Sequence, residues 1–184
     1  PETPNKAKEG RFDDIRTCIG CHHGCIGKLL ANVPGECILN PTLGHESEYL
    51  PVHAGEAKKV MVIGAGPGGL QAAISAAEAG HRVKVYEKGR WAGGQFRLGA
   101  VPAGKGEITS FITWQLHQLE NLGVPVILET EVTKELVDLE KPDVVIAATG
   151  AVPVIPRIPG ADGPNVVTSH DVLSGAANTG ARIV

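Results

Sequence analysis

The sequence predicts an α/β fold built on a parallel sheet, and three observations predict it. Short β-branched runs recur from residue 58 onward, amphipathic helical patterns alternate with them, and a glycine-rich loop stands at the first strand-to-helix junction. The candidate strands are Val60–Ile63, Val83–Tyr86, Val124–Leu128 and Val144–Ala147. Each reads as a buried parallel strand.

Pro67 is a good first residue for the helix after the loop, because its missing N–H would be unpaired there in any case. Leu70, Ala73, Ile74 and Ala77 then form one apolar face, and Gly80 ends it. A second helix is expected over Glu107–Leu122, with Ile108, Phe111, Ile112, Gln115, Leu116 and Leu119 toward the core and Gly123 as terminator. Phe111 and Trp114 read as packing residues. Pro153, Pro156, Pro159 and Gly160 turn the stretch after the last strand into an extended connection.

A chain of 184 residues buries one good core but is short for a complete multidomain enzyme. Its 24 glycines are about twice the usual share of ~7%, without a collagen-like period, so they point to tight turns and close backbone approach. The net charge is -3, from 17 basic and 20 acidic residues that are interleaved. No polybasic stripe advertises nucleic acid or an anionic membrane, and neither partner is expected. The longest uncharged run, Val60–Ala77, contains Gly64, Gly66, Gly68, Gly69, Gln71 and Ser75, and makes a poor spanning helix. The first residue is Pro1 and the last are Ile183-Val184, where an apolar run begins, which reads as a piece of a larger protein.

Ahead of the α/β region, Pro1–Arg16 is polar and charged, and residues 17–57 are punctuated by Cys, Gly, Pro and Asn. One short helix is expected near Ile26–Asn32. A segment with so little apolar content calls for a metal centre to organise it. Cys18, Cys21 and Cys25 supply three thiolates from one tight loop, and Cys37 follows eleven residues later. Such a set holds iron or zinc. Zinc sites usually pair two knuckles, whereas three ligands from one loop and a fourth from a distance suit the corners of a cubane. Structural zinc stays open on spacing alone. With no secretory signal and an ordinary core, reduced thiolates in the cytoplasm fit better than disulfides. Gly20, Gly24 and Gly27 let the loop approach a cluster, or simply make its turns; His22 and His23 are left to its surroundings or the surface.

The loop Gly64-Ala65-Gly66-Pro67-Gly68-Gly69 fits the GxGxxG pattern of a Rossmann-like dinucleotide fold. Gly64 makes the tight turn, Gly66 admits a pyrophosphate to the backbone, and Gly69 permits close helix–strand packing. Glu87 closes the signature at the end of the next strand, where a carboxylate accepts hydrogen bonds from a ribose. An acid there disfavours a 2′-phosphate, although the neighbouring Lys88 and Arg90 weaken that exclusion. No triad, paired catalytic acids or lysine nucleophile can be assembled, so no catalytic residue is assigned.

The chain resembles the iron-sulfur flavoenzymes related to 2,4-dienoyl-CoA reductase, 2-enoate reductase and the trimethylamine dehydrogenases. The resemblance rests on Cys18, Cys21, Cys25 and Cys37, on Asn40-Pro41 with Gly44 and Glu46, and on Gly64, Gly66, Gly69 and Glu87. It continues through Gly93-Gly94-Gln95 and Ala148-Thr149-Gly150 and so covers nearly the whole chain. His22 stands where many relatives carry Asn.

This resemblance implies a small irregular [4Fe-4S]-binding segment, residues 17–57, before a partial three-layer FAD-binding Rossmann-like domain, residues 58–175. Residues 1–16 would be the last part of an FMN-binding TIM barrel, and 176–184 the start of a nicotinamide-binding domain. The complete enzyme would be a homo-oligomer. Gly64, Gly66, Pro67, Gly69, Glu87, Lys88, Gly94, Gln95, Val132, Ala148, Thr149 and Gly150 would hold FAD, with Val132 at the adenine. The implied function is the electron-transfer part of an NAD(P)H-dependent reductase of enoates or enoyl-CoA thioesters, running NADH to FAD to [4Fe-4S] to FMN. Amine dehydrogenation of the trimethylamine dehydrogenase type is the alternative, and a non-catalytic FAD-binding accessory subunit is a third.

Overall fold

The computed structural model describes residues 2–49 and 52–183; the termini Pro1 and Val184 lie outside them. Four parallel strands form one sheet: β1 (Lys59–Ile63), β2 (Arg82–Tyr86), β3 (Val126–Ile127) and β4 (Val144–Ala147), in the order β3-β2-β1-β4. Val60 pairs with Val83 on one side and Val144 on the other, which fixes the register of the three central strands. Side chains alternate across the sheet, so Val60, Val62, Val83 and Val85 enter the core together.

The helices are α1 (Thr3–Lys8), α2 (Ile26–Leu30), α3 (Pro67–Glu78), α4 (Gly94–Leu98), α5 (Glu107–Asn121), α6 (Lys134–Glu140) and α7 (Ser169–Ser174). Chain order β1-α3-β2-α4-α5-β3 moves outward along the sheet, and β3-α6-β4 returns past the start. Right-handed crossovers then place α3 and α5 on one face and α6 on the other, the doubly wound arrangement expected. Lys84 donates to both Glu140 oxygens, at 2.9 and 2.7 Å, and so ties α6 to β2. On the α3 face, Leu70, Ala73, Ile74, Phe111, Ile112 and Leu119 fill the space above the strands. Fully burying an aliphatic or phenyl side chain of this kind contributes about 1.5–3 kcal/mol.

Three expectations need correction. The third strand is only Val126–Ile127, because Pro125 has no N–H for the ladder and Val124 instead donates to Leu119 O at 2.8 Å, closing α5. Strand β4 is the sheet's edge, and Val144 and Val145 remain partly exposed at 37% and 42%. On α5 Ile108 and Leu116 are only partly covered, while Trp114 is buried as a packing residue should be.

The cysteine segment does not stand apart either. Leu39 belongs to the main hydrophobic core, with Ile19 and Cys37 packed against it. Lacking apolar residues for a core of its own, the segment borrows that of the α/β domain through one leucine. Asp14 anchors the preceding stretch: its Oδ1 accepts from His117 Nε2 at 3.0 Å and Gln118 Nε2 at 3.4 Å, and its carbonyl accepts Trp114 Nε1 at 3.1 Å. No described helix is long and apolar enough to cross a membrane.

Candidate functional site: a phosphate loop and a cysteine pocket flanking one helix

The first site forms at the C-terminal ends of β1 and β4, where the strand order reverses and doubly wound sheets bind ligands. At Gly64, with φ +105°, a Cβ would lie 2.3 Å from Ala148 O; at Gly69 it would lie 2.0 Å from Gly64 O. No side chain fits at either position. Gly66 differs: its φ is -72° and a Cβ there would meet nothing within 4 Å, so its backbone faces open space at the N-terminus of α3. Unpaired N–H groups at that terminus suit an anionic phosphate.

Gly94 closes the opposite side. A Cβ on it would approach Gly66 Cα to 3.2 Å, and Gly93 N–H donates to Ala65 O at 2.7 Å. Gln95 donates through Nε2 to Ala151 O, joining α4 to the chain leaving β4. Gly64, Gly66, Pro67, Gly69, Gly94, Gln95, Ala148, Thr149 and Gly150 are thus brought to one loop cluster. Thr149 and Gly150 are exposed there, and Gly150 turns with φ +76°.

Glu87 has an additional role. Its Oε2 accepts Ala65 N–H at 2.9 Å and its Oε1 accepts Gly89 N–H at 2.8 Å, so the carboxylate braces the phosphate loop. A carboxylate has about four acceptor positions, which leaves capacity for ribose hydroxyls. Lys88 beside it is exposed. Thr130 N–H donates to Glu87 O at 2.9 Å, bringing the segment that carries partly buried Val132 alongside the acid.

The second site is a cavity of about 490 Å³ lined by Cys18, Cys37, Arg16, Leu39, Asn40 and Trp114 among others. All four cysteines are free thiols; Cys18, Cys21 and Cys25 are exposed and Cys37 is partly buried. Among the described residues no three His, Cys, Asp or Glu side chains are drawn close enough to hold a single metal ion. The backbone around them is nevertheless arranged for one another. Glu36 N–H donates to Gly24 O at 3.0 Å, a Cβ on Gly24 would sit 2.6 Å from Glu36 O, and Lys28 pairs with Glu36. These contacts hold the Cys25 turn against the segment that leads into Cys37. Gly20 N–H points at Cys18 Sγ at 3.4 Å, the kind of contact that stabilises thiolate charge. Of the four thiols only Cys18 and Cys37 line this cavity, and the fit to an iron-sulfur cluster rests on donor chemistry alone, four soft thiolates with three on one loop.

His22 adopts φ +54°, in the left-handed region that Asn, Asp and His enter most readily among residues with side chains. Arg16, to which sequence reasoning gave no role, donates through Nη1 to Leu39 O at 2.9 Å and Asn40 Oδ1 at 2.8 Å, and its guanidinium lies 4.2 Å from the Trp114 ring centroid. Burial lowers the Arg16 pKa, while Cys37 and Glu78 oppose that shift. Gln115 is buried as its place in the helical pattern predicts, but its partner was not foreseen. Next to Trp114 on α5, it is fully buried and donates to Pro67 O at 2.9 Å, at the first turn of the phosphate-loop helix. Adjacent residues of one helix therefore meet the two sites. In sequence both residues read only as packing positions of one helix, and nothing local named their partners.

The comparisons agree with this geometry. An NADH oxidase of Thermoanaerobacter brockii is 44% identical over 95% of the chain and 28% of its own length. A solved 2-naphthoyl-CoA reductase bound to 2-naphthoyl-CoA matches with a TM-score of 0.93 and 36% identity, over 96% of this chain and 27% of that one. The 6-hydroxypseudooxynicotine amine oxidase of Pseudomonas geniculata N1 matches with a TM-score of 0.83 and 31% identity, over 94% and 28%. The chain spans less than a third of the length of these relatives. Its fold is a Rossmann-like FAD-binding one, that of an oxidoreductase related to both reducing and amine-oxidising flavoenzymes. The family pattern described as pyridine nucleotide-disulphide oxidoreductase matches residues 58–179, the stretch that builds the sheet and its phosphate loop, and the chain belongs to that family.

Proposed function

We propose that the chain is the electron-conducting part of an NAD(P)H-dependent iron-sulfur flavoprotein reductase acting on enoates or enoyl-CoA thioesters. The observation that carries this reading is that neighbouring residues of α5 touch both sites, Trp114 the cysteine cavity and Gln115 the Pro67 carbonyl. When bound, FAD would supply two-electron acceptance from NADH, and a [4Fe-4S] cluster would supply one-electron transfer toward FMN in a TIM barrel elsewhere in the protein.

The chain's own residues bind and exclude. Gly66 and the start of α3 receive the FAD pyrophosphate, Glu87 and Lys88 border the ribose, Val132 borders adenine, and Gly94, Gln95, Ala148, Thr149 and Gly150 flank the remainder. Cys18, Cys21, Cys25 and Cys37 ligate the cluster, while Leu39 and Ile19 keep water from its inner side. Residues 1–16 are read as the exit segment of the barrel and 176–184 as the start of the nicotinamide domain. Four free thiols suit a reducing compartment such as the cytoplasm, and the complete protein is read as a homo-oligomer. The likeness to a naphthoyl-CoA reductase at 36% identity supports reduction of an unsaturated acyl thioester. The likeness to an amine oxidase at 31% keeps amine oxidation as the second reading.

Anaerobic stopped-flow mixing of the holoprotein with NADH, and separately with candidate amines, tests the assignment. Flavin reduction by NADH followed by reoxidation with an enoate or enoyl-CoA is expected. Reduction by an amine with no response to NADH overturns it.

A further inference from the structure

We infer that Arg16 is a positioning residue that also sets the reduction potential of the cysteine-bound centre, a role that rests on the cluster reading above. Arg16 shares the cavity with Cys18 and Cys37 and is partly buried. Its Nη1 bridges Leu39 O at 2.9 Å and Asn40 Oδ1 at 2.8 Å, the two residues after Ile38 in the loop that delivers Cys37. The guanidinium also lies over Trp114, its Cζ 4.2 Å from the ring centroid. Three parts of the chain are joined at this one side chain: the N-terminal stretch, the Cys37 loop and α5 of the flavin domain.

Its charge matters as much as its bonds. A guanidinium stays protonated at all ordinary pH, and a charge fixed in a partly desolvated cavity is screened less than one in water. When the centre takes up one electron its charge becomes more negative by one and no bond is made or broken. A neighbouring fixed cation stabilises the reduced state and so raises the potential. Glu46, Glu2 and Lys6 also line the cavity. Of the charges around it, Arg16 is the one held by two hydrogen bonds to the Cys37 loop and by an aromatic face.

The test is redox titration of the anaerobically reconstituted holoprotein, followed by the electron paramagnetic resonance of the reduced centre, with iron and sulfide content measured beside it. In Arg16→Gln the centre is expected to load and its midpoint to fall by at least the equivalent of a tenfold change in the one-electron equilibrium, about 59 mV. Arg16→Lys, which keeps the charge, is expected to retain most of the wild-type potential. A loaded Arg16→Gln with an unmoved midpoint, or an Arg16→Lys that falls as far as Arg16→Gln, overturns the proposal while leaving the cluster reading intact. Should Arg16→Gln not load, Arg16→Lys decides: loading near the wild-type midpoint upholds the charge, and failure of both shows a purely structural fork. Wild-type protein that binds no iron and sulfide removes the cluster reading, and this role with it.

Discussion

The carboxylate of Glu87 accepts the Ala65 N–H at 2.9 Å, so the residue proposed for a ribose also braces the glycine loop proposed for the phosphates. Ala65 is fully buried, and without that acceptor its N–H would have no partner. Replacing Glu87 by Ala should therefore destabilise the cofactor-free protein by about 1–3 kcal/mol, the cost of orphaning a buried donor. Urea unfolding of the apo form checks this. A variant with wild-type stability and weakened FAD binding would show that the acid serves the ribose alone.

The three motif glycines should separate into two phenotypes. Gly64→Ala and Gly69→Ala drive a methyl into carbonyl oxygens at 2.3 and 2.0 Å, and each is expected to cost about 1–3 kcal/mol of stability or more. At Gly66 an added Cβ meets nothing within 4 Å, so Gly66→Val should lose less thermal stability than Gly64→Ala or Gly69→Ala while its FAD affinity falls at least tenfold, about 1.4 kcal/mol. Unchanged FAD affinity in Gly66→Val would reject the phosphate loop.

Acid should release the N-terminal stretch from α5 through Asp14. Hydrogen bonds from Arg11, then from Gln118 and His117, hold the Asp14 carboxyl below its ordinary pKa. A depressed folded pKa contributes stability that is complete above the ordinary carboxylate value of about 3.9 and is lost as pH falls through the lowered one. Because Trp114 donates to the Asp14 carbonyl, its fluorescence reports the contact. In a Trp91→Phe background the emission should shift red below about pH 4, ahead of the loss of helical circular dichroism. Adding Asp14→Asn should abolish that separate step; an identical titration in both proteins would contradict it.

Ligand roles divide Cys37 from His22. Cys37→Ala should abolish or destabilise iron and sulfide binding, whereas His22→Ala should retain the cluster with some strain from its left-handed backbone. His22→Gly, free of that strain, should load fully. Equal retention in Cys37→Ala and His22→Ala would count against the cysteine set.

The parallel sheet and its phosphate loop were legible because periodicity and a spaced motif act locally: Val60–Ile63, Gly64 and Pro67 each declare themselves within a few residues. Thr168 and Asp171 form a capping box that starts α7, and that signal was present but unread. Other features were not available locally. Leu39 joins a core built by residues far along the chain, and nothing near it marks it out from exposed Leu29 and Leu30. Arg16 and Trp114 stand 98 positions apart in sequence, and their contact depends on how the N-terminal stretch crosses α5. Bracing of Ala65 by Glu87 was hidden behind a motif that already supplied a role for the acid.

The central claim, the proposal that electrons pass from a flavin to a cysteine-bound iron-sulfur centre, is tested most directly by anaerobic reduction of the reconstituted holoprotein with NADH, reading flavin absorbance and electron paramagnetic resonance from the same sample. The account predicts four iron and four sulfide per chain, on the stoichiometry of a cubane, with flavin bleaching followed by the signal of a reduced cluster. Zinc in place of iron and sulfide, or a fully bleached flavin with no cluster signal at any time, would contradict it.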